Sequence, residues 1–331
     1  MTTIVKNRLP DIEALVPTEV YDAYWHFAAE RQEIFERRRR RLAPPWTDDP
    51  VLLTNKFTNV YRASDRISQY LIRNVIYTPT RFNADDTVFR ILLFKIFNKI
   101  ETWKLLEQAC GVISISNFSP EHFGSVLEAA MQRGESIYSG AYIMPTGLRS
   151  LRLARKHQTH LAILQMMIET ELPKKVADAK SLADLYVLLR SYPLLGDFLA
   201  YQYAIDINYS DVTGFSESEF VMPGPGARSG IRKCFSTFGS FNESDIIRIV
   251  TEQQEIEFQK RGIDFSYIGG RPLQQIDIQN IFCEIDKYAR VQFPDISGKH
   301  NRTRIKHRFH ANPTPIDYLY PPKWKLNRGT R

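Results

Sequence analysis

The chain has 331 residues, of which 43% are hydrophobic and 24% charged. That composition is typical of a globular protein with ample core, and it excludes a fibrous or wholly disordered chain. The formal net charge of +7 favours a polyanionic partner such as nucleic acid without requiring one. Three cysteines lie far apart, so they predict neither a disulfide framework nor a metal site.

Targeting and membrane signals are missing from the sequence. No opening segment joins a basic start to an apolar run, and no apolar run reaches the length of a membrane span. We therefore expect a cytoplasmic protein that has no membrane partner. Nothing in the sequence indicates an oligomeric state.

Hydrophobic periodicity predicts helices along most of the chain. Thr18 can cap the first helix, and Ser64 can cap a helix within Phe57–Tyr77. A strong helix is predicted from Phe89 to Gln108; it is apolar on most sides, with Lys95, Asn98 and Thr102 as polar interruptions. Little suggests a sheet, so the expected fold class is all-α. We divide the chain into an N-terminal helix with an Arg-rich extension (1–50), a helical domain in one or two lobes (51–298) and a basic tail (299–331).

The most informative stretch runs from Tyr192 to Gly230. Pro193 and Gly196 allow a tight turn before an apolar helix that begins near Asp197, and backbone amides at such a turn can grip phosphate. A second turn, containing Gly224 and Gly226, opens a shorter helix. That helix carries the basic residues Arg228, Arg232 and Lys233, and the acids between the two turns are Asp206, Asp211, Glu217 and Glu219.

Polar side chains on other predicted helices are further candidates. Arg62 and Arg66 crowd the start of one helix, where they form either a DNA-binding edge or local caps. Asn98 must find partners inside an apolar helix, so it is either a network residue or a base-reading group. One face of the last predicted helix carries Asp277, Asn280, Glu284 and Lys287, with Gln279 beside them; a functional face and a solvated salt-bridge face are both open.

Several catalytic motifs are absent from the sequence. It holds no GxxxxGK(S/T), no GxGxxG after a strand, no HExxH and no GxSxG. Carboxylates, amides and arginines remain as the chemical inventory. These groups suit glycosidic-bond chemistry or group transfer on a nucleic acid.

The segment PLLGDFLA (193–200) resembles the hairpin LPGxGxxTA of helix-hairpin-helix DNA glycosylases, with Leu194 where a glycine usually stands. In those enzymes a catalytic aspartate follows the hairpin, and the same distance from Gly196 ends at residues 216–219. The resemblance therefore implies Glu217 or Glu219 as the acid, hairpin amides on a phosphate, and an alkali cation at the hairpin as the one possible cofactor. Phe198 stands where bifunctional members carry a lysine nucleophile, which argues against lyase activity.

A broader resemblance covers about Tyr24 to Phe309. The segments FTNVYRASDRISQYLI, FRILLFKIFNKIETW, SGAYIMP, FLAYQYAIDINYSD, SEFVMPGPGARSGIRKCF and IDIQNIFCEIDKYAR are similar to the alpha-glutamyl/putrescinyl thymine pyrophosphorylase family, whose helical domain is also named for 5-hydroxymethyluracil DNA kinase. The family is linked to thymine hypermodification in phage DNA, and its fold is thought to be DNA-glycosylase-like. The resemblance implies action on a modified base in DNA, in phage DNA modification or anti-phage defence.

Three hypotheses for the function follow. A monofunctional glycosylase would flip the modified base and cleave its glycosidic bond with Glu219, while Asn98, Tyr142 and Gln202 read the base. An amino acid or amine transferase would displace pyrophosphate from a 5-substituted uracil, with Asp277 or Glu284 as base. The leaving group would then meet Lys287, Arg228 and Arg232. A DNA-binding scaffold without chemistry is the third. Asp206 is a further catalytic candidate among the acids that follow the hairpin.

Overall fold

The computed structural model describes residues 15–147, 153–296, 298, 303–312 and 314–327. Helices dominate this part of the chain, which confirms the all-α class. The α-helices are α1 (Glu19–Arg39), α2 (Pro50–Thr54), α3 (Arg66–Tyr70), α4 (Ala84–Phe97), α5 (Ile100–Cys110), α6 (Pro120–Gln132), α7 (Lys156–Glu169), α8 (Leu172–Asp178), α9 (Leu182–Arg190), α10 (Asp197–Asn208), α11 (Pro225–Cys234), α12 (Glu243–Lys260) and α13 (Gln275–Gln292). Two short strands, β1 (Val16–Pro17) and β2 (Phe235–Thr237), pair antiparallel.

The described residues form two compact units. Unit 1 comprises residues 15–60 and 223–312, and unit 2 comprises 61–222 and 314–327. The sequence-based division at residues 50 and 298 stays a prediction. Parts of its first and last segments, 1–14 and 299–302 with 328–331, lie outside the described residues.

Unit 1 is built around aromatic packing between α1, α12 and α13. Tyr24 and Trp25 on α1 are fully buried, Tyr24 against Phe282 at 4.6 Å between ring centroids and Trp25 against Phe258 at 4.8 Å. Thr18 caps α1 by accepting a hydrogen bond from the Val20 amide, as the sequence indicates. Burial of these large rings stabilises the unit.

Two glycines let α11 lie directly on α13. A Cβ at Gly230 would stand 2.8 Å from the carbonyl carbon of Phe282 and closer still to its oxygen, and one at Gly226 would collide with the Cys283 thiol. These positions therefore need glycine because of helix packing. Helix packing by itself accounts for a glycine at position 226. Phosphate binding at the turn that contains Gly224 and Gly226 stays a prediction.

Unit 2 is organised on α4, whose residues 88–97 are all buried. The helix predicted as continuous from Phe89 to Gln108 is two helices, because Asn98 adopts a left-handed conformation with φ 49° and ends α4. Asparagine tolerates that conformation better than most residues, and α5 restarts after Lys99. The helix predicted within Phe57–Tyr77 is likewise divided into a 3-10 turn at Arg62–Ser64, α3, and a π-helical segment at Leu71–Ile76.

Candidate functional site

Three charged side chains meet in the interior of unit 2. Asp206 on α10 accepts a hydrogen bond from Arg62 Nη1 at 2.6 Å, and its second oxygen lies 2.8 Å from Lys95 Nζ on α4. Asp206 is 1% exposed, and Arg62 and Lys95 are each 2% exposed. We call Arg62, Lys95 and Asp206 the buried ion cluster. Removing one member of such a cluster costs about 3–5 kcal/mol, because the other charges stay buried.

Two other predicted residues join this cluster. The Gln202 side-chain oxygen accepts a hydrogen bond from Arg62 Nε at 2.9 Å. The ring of Tyr142 covers the cations, with Lys95 Nζ 3.8 Å and Arg62 Cζ 5.6 Å from its centroid. Four residues chosen from the sequence for different roles, Arg62, Tyr142, Gln202 and Asp206, thus lie together.

Mutual neutralisation sets the protonation of the cluster. Burial alone would raise the pKa of the Asp206 carboxyl, but Arg62 and Lys95 outweigh burial and hold that pKa below its usual value. Burial lowers the pKa of Lys95 to about 8, although Asp206 acts in the opposite direction. At neutral pH the carboxylate is therefore ionised, and the lysine amine gives up its proton more readily than a surface lysine does.

Tyr142 belongs to a loop whose two ends are fixed. The His160 ring bridges those ends, since Nδ1 lies 2.7 Å from the Tyr138 hydroxyl and Nε2 lies 3.0 Å from the Pro145 carbonyl oxygen. The Tyr142 ring also stacks on Phe198 of α10, with centroids 5.8 Å apart and planes 10° apart. The loop thus places Tyr142 between α4 and the start of α10.

The predicted hairpin is present between α9 and α10. Leu194, which replaces the usual glycine, takes a left-handed conformation with φ 65°. Gly196 stands at the N-cap of α10, and a Cβ there would meet nothing within 4 Å, so its backbone is open to a neighbouring molecule. Asp197 accepts hydrogen bonds from Arg190 and Tyr186. Phosphate contact at Pro193, Gly196 and Asp197 stays a prediction.

The acids beyond the hairpin differ in environment. Glu219 is exposed, whereas Glu217 is buried. Among the described residues, Glu219 makes no hydrogen bond or ion pair with the buried ion cluster. Asn98 is buried at the end of α4, and its side-chain oxygen has no hydrogen-bond partner in the described part of the chain. A catalytic role for Glu219 and a base-reading role for Asn98 both stay predictions.

The candidates on α13 contact other parts of unit 1. Asn280 donates to the Asn59 carbonyl oxygen at 2.9 Å, and Glu284 accepts from the Thr58 amide at 3.2 Å and pairs with Lys287. Asp277 accepts from the Gln274 amide at 3.1 Å at the start of the helix. Gln279 is buried as well. These acids and amides are buried, so the solvated salt-bridge face is wrong as an interpretation. Asn280 and Glu284 hold residues 58 and 59 in place, and a functional role for the face stays a prediction.

The basic candidates around α11 and α3 are also paired within the protein. Arg228 donates to the Pro223 carbonyl oxygen, and Arg232 lies 3.4 Å from Glu243. Lys233 is buried and donates to the Asp286 carbonyl oxygen at 3.0 Å. Gly224 is the N-cap of α11. In unit 2, Arg66 donates to the Thr314 carbonyl oxygen at 2.8 Å. DNA contact by these residues stays a prediction.

A separate groove of about 630 Å³ lies in unit 1. Its lining includes the acids Glu30, Glu33, Asp48, Asp49 and Asp264. A groove so rich in carboxylates repels a phosphate backbone. We therefore place the candidate functional site at the buried ion cluster and not at this groove.

Lys95 is the residue that sequence reasoning did not select. The available signal was a lysine within a helix that is otherwise apolar on most sides, because a buried lysine needs an anionic partner. Its partner Asp206 lies 111 positions along the chain on another helix. The spacing of nearby residues in the sequence therefore does not reveal this pair.

The fold and the site together define a helical protein whose buried ion cluster is covered by an aromatic ring. The family model described as "5-hmdU DNA kinase, helical domain" matches residues 18–298, and the chain belongs to that family. This confirms the family resemblance drawn from the sequence segments.

A curated relative and the solved structures complete the comparison. The chain is 27% identical to a 5-hmdU DNA kinase of Bacillus phage SP10, over 91% of this chain and 50% of the relative. It therefore spans about half the length of that relative. No solved structure matches the chain, so the glycosylase-like hairpin fold stays a prediction. Among the described residues, no helix is both long and apolar enough to cross a membrane.

Proposed function

We propose that this chain binds DNA carrying a 5-substituted uracil and holds the extruded base in unit 2 at the buried ion cluster. The convergence of Arg62, Lys95, Asp206, Gln202 and Tyr142 carries the proposal. An extruded base needs an aromatic surface for stacking and hydrogen-bonding groups for its edge, and this cluster offers both. Membership of the 5-hmdU DNA kinase helical-domain family supports a modified uracil as that base.

The chemistry that we propose is group transfer to the substituent at carbon 5. The name of the phage relative, a 5-hmdU DNA kinase, supports transfer to a hydroxymethyl oxygen. In such a transfer the hydroxyl gives its proton to a base while its oxygen attacks the terminal phosphorus of the donor. The bond from that phosphorus to the bridging oxygen breaks, and the rest of the donor leaves. Lys95, whose pKa burial lowers to about 8, can accept this proton in its neutral form, while Asp206 stays ionised and orients the amine. Arg62 can stabilise developing negative charge.

This chain would supply the DNA side of that reaction. Its sequence contains no phosphate-binding loop motif for a nucleotide donor. It spans half of the phage relative. We therefore assign recognition of the acceptor base to this chain and make no assignment for the donor.

Hydrolysis of the N-glycosidic bond is the second candidate. The observation that favours it is the hairpin: Leu194 adopts the left-handed conformation usually taken by glycine, which preserves the turn despite the substitution. The open backbone at Gly196 could then hold a DNA phosphate, with an alkali cation as the possible cofactor and Glu219 as the acid. Transfer of an amino acid or amine is a different reaction, in which the amine attacks the carbon attached to position 5 of the uracil and pyrophosphate leaves from the DNA; it stays a separate hypothesis and needs DNA that already carries the pyrophosphorylated base.

Analysis of nucleosides by mass spectrometry separates these possibilities. Duplex DNA with a single 5-hydroxymethyluracil is incubated with the protein, with and without ATP, and then digested. Group transfer predicts a heavier nucleoside at the modified position and an intact strand after alkali. Glycosylase action predicts free base and an alkali-labile abasic site. Selective binding with no product would leave recognition as the function, and equal binding to thymine DNA would overturn the proposal.

A further inference from the structure

The ring of Tyr142 fills a slot in unit 2 whose walls are an aromatic ring and a buried amine. Phe198 lies parallel to it at 5.8 Å, and Lys95 Nζ lies 3.8 Å from its centroid. The phenol contacts the amine through its π face. A ring that carried carbonyl or hydroxyl oxygens could instead accept a hydrogen bond from Lys95.

The tip of the loop, residues 140–143, is suited to moving as a unit. Tyr142 has φ 54°, an unfavourable conformation for a residue with a bulky side chain. The tip is anchored before it by the Ser139 amide, which donates to the Phe97 carbonyl oxygen, and after it by Met144, whose sulfur accepts from the Tyr203 hydroxyl. Ile143 between these anchors is 63% exposed.

The bonds of the tip favour the same motion. The Ala141 amide donates to Ser139 Oγ, a bond at the base of the tip that can be kept as the tip turns. Gly140 precedes Ala141 and can absorb the change in backbone angles. Withdrawal of the Tyr142 ring therefore breaks its ring contacts and its side-chain hydrogen bond with Arg62, and it relieves the unfavourable backbone angle.

We propose that Tyr142 caps this slot in the DNA-free protein and that an extruded 5-substituted uracil displaces it. The pyrimidine then stacks on Phe198, and the oxygen of its substituent at carbon 5 accepts a hydrogen bond from Lys95. A uracil ring matches the phenol ring in size and flatness, whereas a purine is larger. Phe198 and Lys95 thereby become residues that set specificity. The proposal rests on the proposed function and names how that site takes its substrate.

The slot can be tested without DNA. Tyr142→Gly opens it, and glycine suits the positive φ at this position, so the variant is expected to fold. Tyr142→Phe keeps the slot filled and is the matched control. The probe is acetylation of Lys95 by acetic anhydride, read by peptide mass spectrometry. We expect acetylation about tenfold faster in Tyr142→Gly than in either the wild type or Tyr142→Phe, because modification follows exposure of the amine.

Protection by a ligand identifies what the slot accepts. Free 5-hydroxymethyluracil should slow acetylation of Lys95 in Tyr142→Gly, and adenine should not. Adding Phe198→Ala to Tyr142→Gly should weaken this protection by about tenfold, since stacking on the ring is lost. Equal acetylation in all variants, or equal protection by adenine, overturns the proposal. Tyr142→Asn, which also tolerates the backbone conformation, repeats the test if Tyr142→Gly does not fold.

The slot and the proposed function fail separately. Protection of Lys95 by the free base, together with equal binding to thymine DNA and modified DNA, would overturn the proposed function and keep the slot. Preference for modified DNA without protection of Lys95 would overturn the slot and keep the function.

Discussion

Packing of α11 on α13 makes Gly230→Ala a substitution whose cost follows from geometry. The added Cβ would lie 2.8 Å from the Phe282 carbonyl carbon and closer to its oxygen. These are backbone atoms, which cannot turn aside as the end of a side chain can, so one helix must shift. Overpacking of this kind costs about 3 kcal/mol or more, and alanine returns about 1 kcal/mol of helix propensity. We expect a net loss of about 2 kcal/mol in the free energy of unfolding.

Urea denaturation followed by far-ultraviolet circular dichroism measures this loss. Gly124→Ala on α6 is the matched control, because its Cβ would meet Leu161 Cδ1 at 3.8 Å, an ordinary contact. That variant should gain up to about 1 kcal/mol from helix propensity alone. The packing argument is refuted if Gly230→Ala is as stable as the wild type, or if both alanines change stability in the same direction.

Three further predictions concern the loop and the hairpin. Burial lowers the pKa of His160 to about 4. As the pH falls below about 6.5, the unfolded chain therefore takes up a proton at this residue that the folded chain does not. The free energy of unfolding should fall by up to about 3 kcal/mol by pH 4. In urea titrations at several pH values, His160→Gln should lessen that loss, and the exposed control His122→Gln should not. Identical pH dependence of the wild type and both variants would contradict the lowered pKa of His160. Gly196→Ala should lower the free energy of unfolding by at most about 1 kcal/mol, because its Cβ meets open space and alanine is a poorer N-cap than glycine. It should bind DNA about tenfold more weakly in fluorescence anisotropy if a phosphate approaches this backbone. Unchanged binding would remove the hairpin from the interface. Leu194→Gly should stabilise the protein by about 0.5–1 kcal/mol, because φ 65° is unfavourable for leucine, and a destabilised variant would show that the leucine side chain matters more.

Local signals in the sequence were sufficient for most helices. Thr18 caps α1 as predicted, since a cap and its helix are neighbours in the chain. The break at Asn98 was not predicted, because an apolar run on both sides hides a single left-handed residue. The pairing of β1 with β2 was also missed, as two strands of two and three residues are too short to give a periodic signal.

The candidate site was predicted in part. Arg62, Tyr142, Gln202 and Asp206 were selected from the sequence, but their meeting point was not, because they come from three separated segments, with Gln202 and Asp206 both on α10. Lys95 was passed over for the same reason. The polar face of α13 that carries Asn280 and Glu284 was predicted from the spacing of its residues. Its contacts with Thr58 and Asn59 were not, because those residues are far away in the sequence.

Binding selectivity of Lys95→Met tests the central claim most directly. Methionine has a similar volume and leaves Asp206 paired with Arg62, so the loss should lie near or below the lower end of the roughly 3–5 kcal/mol expected for breaking the cluster. Urea denaturation checks that the variant is folded before its binding is compared. Lys104→Met, the same change at an exposed position of α5, is the control. The measurement is the ratio of dissociation constants for duplexes that differ only by thymine or 5-hydroxymethyluracil at one position, by fluorescence anisotropy. We predict that the wild type and Lys104→Met prefer the modified duplex and that Lys95→Met loses about tenfold of that preference, as expected for one hydrogen bond to a charged group. A full preference retained by Lys95→Met would contradict the placement of the base at the buried ion cluster.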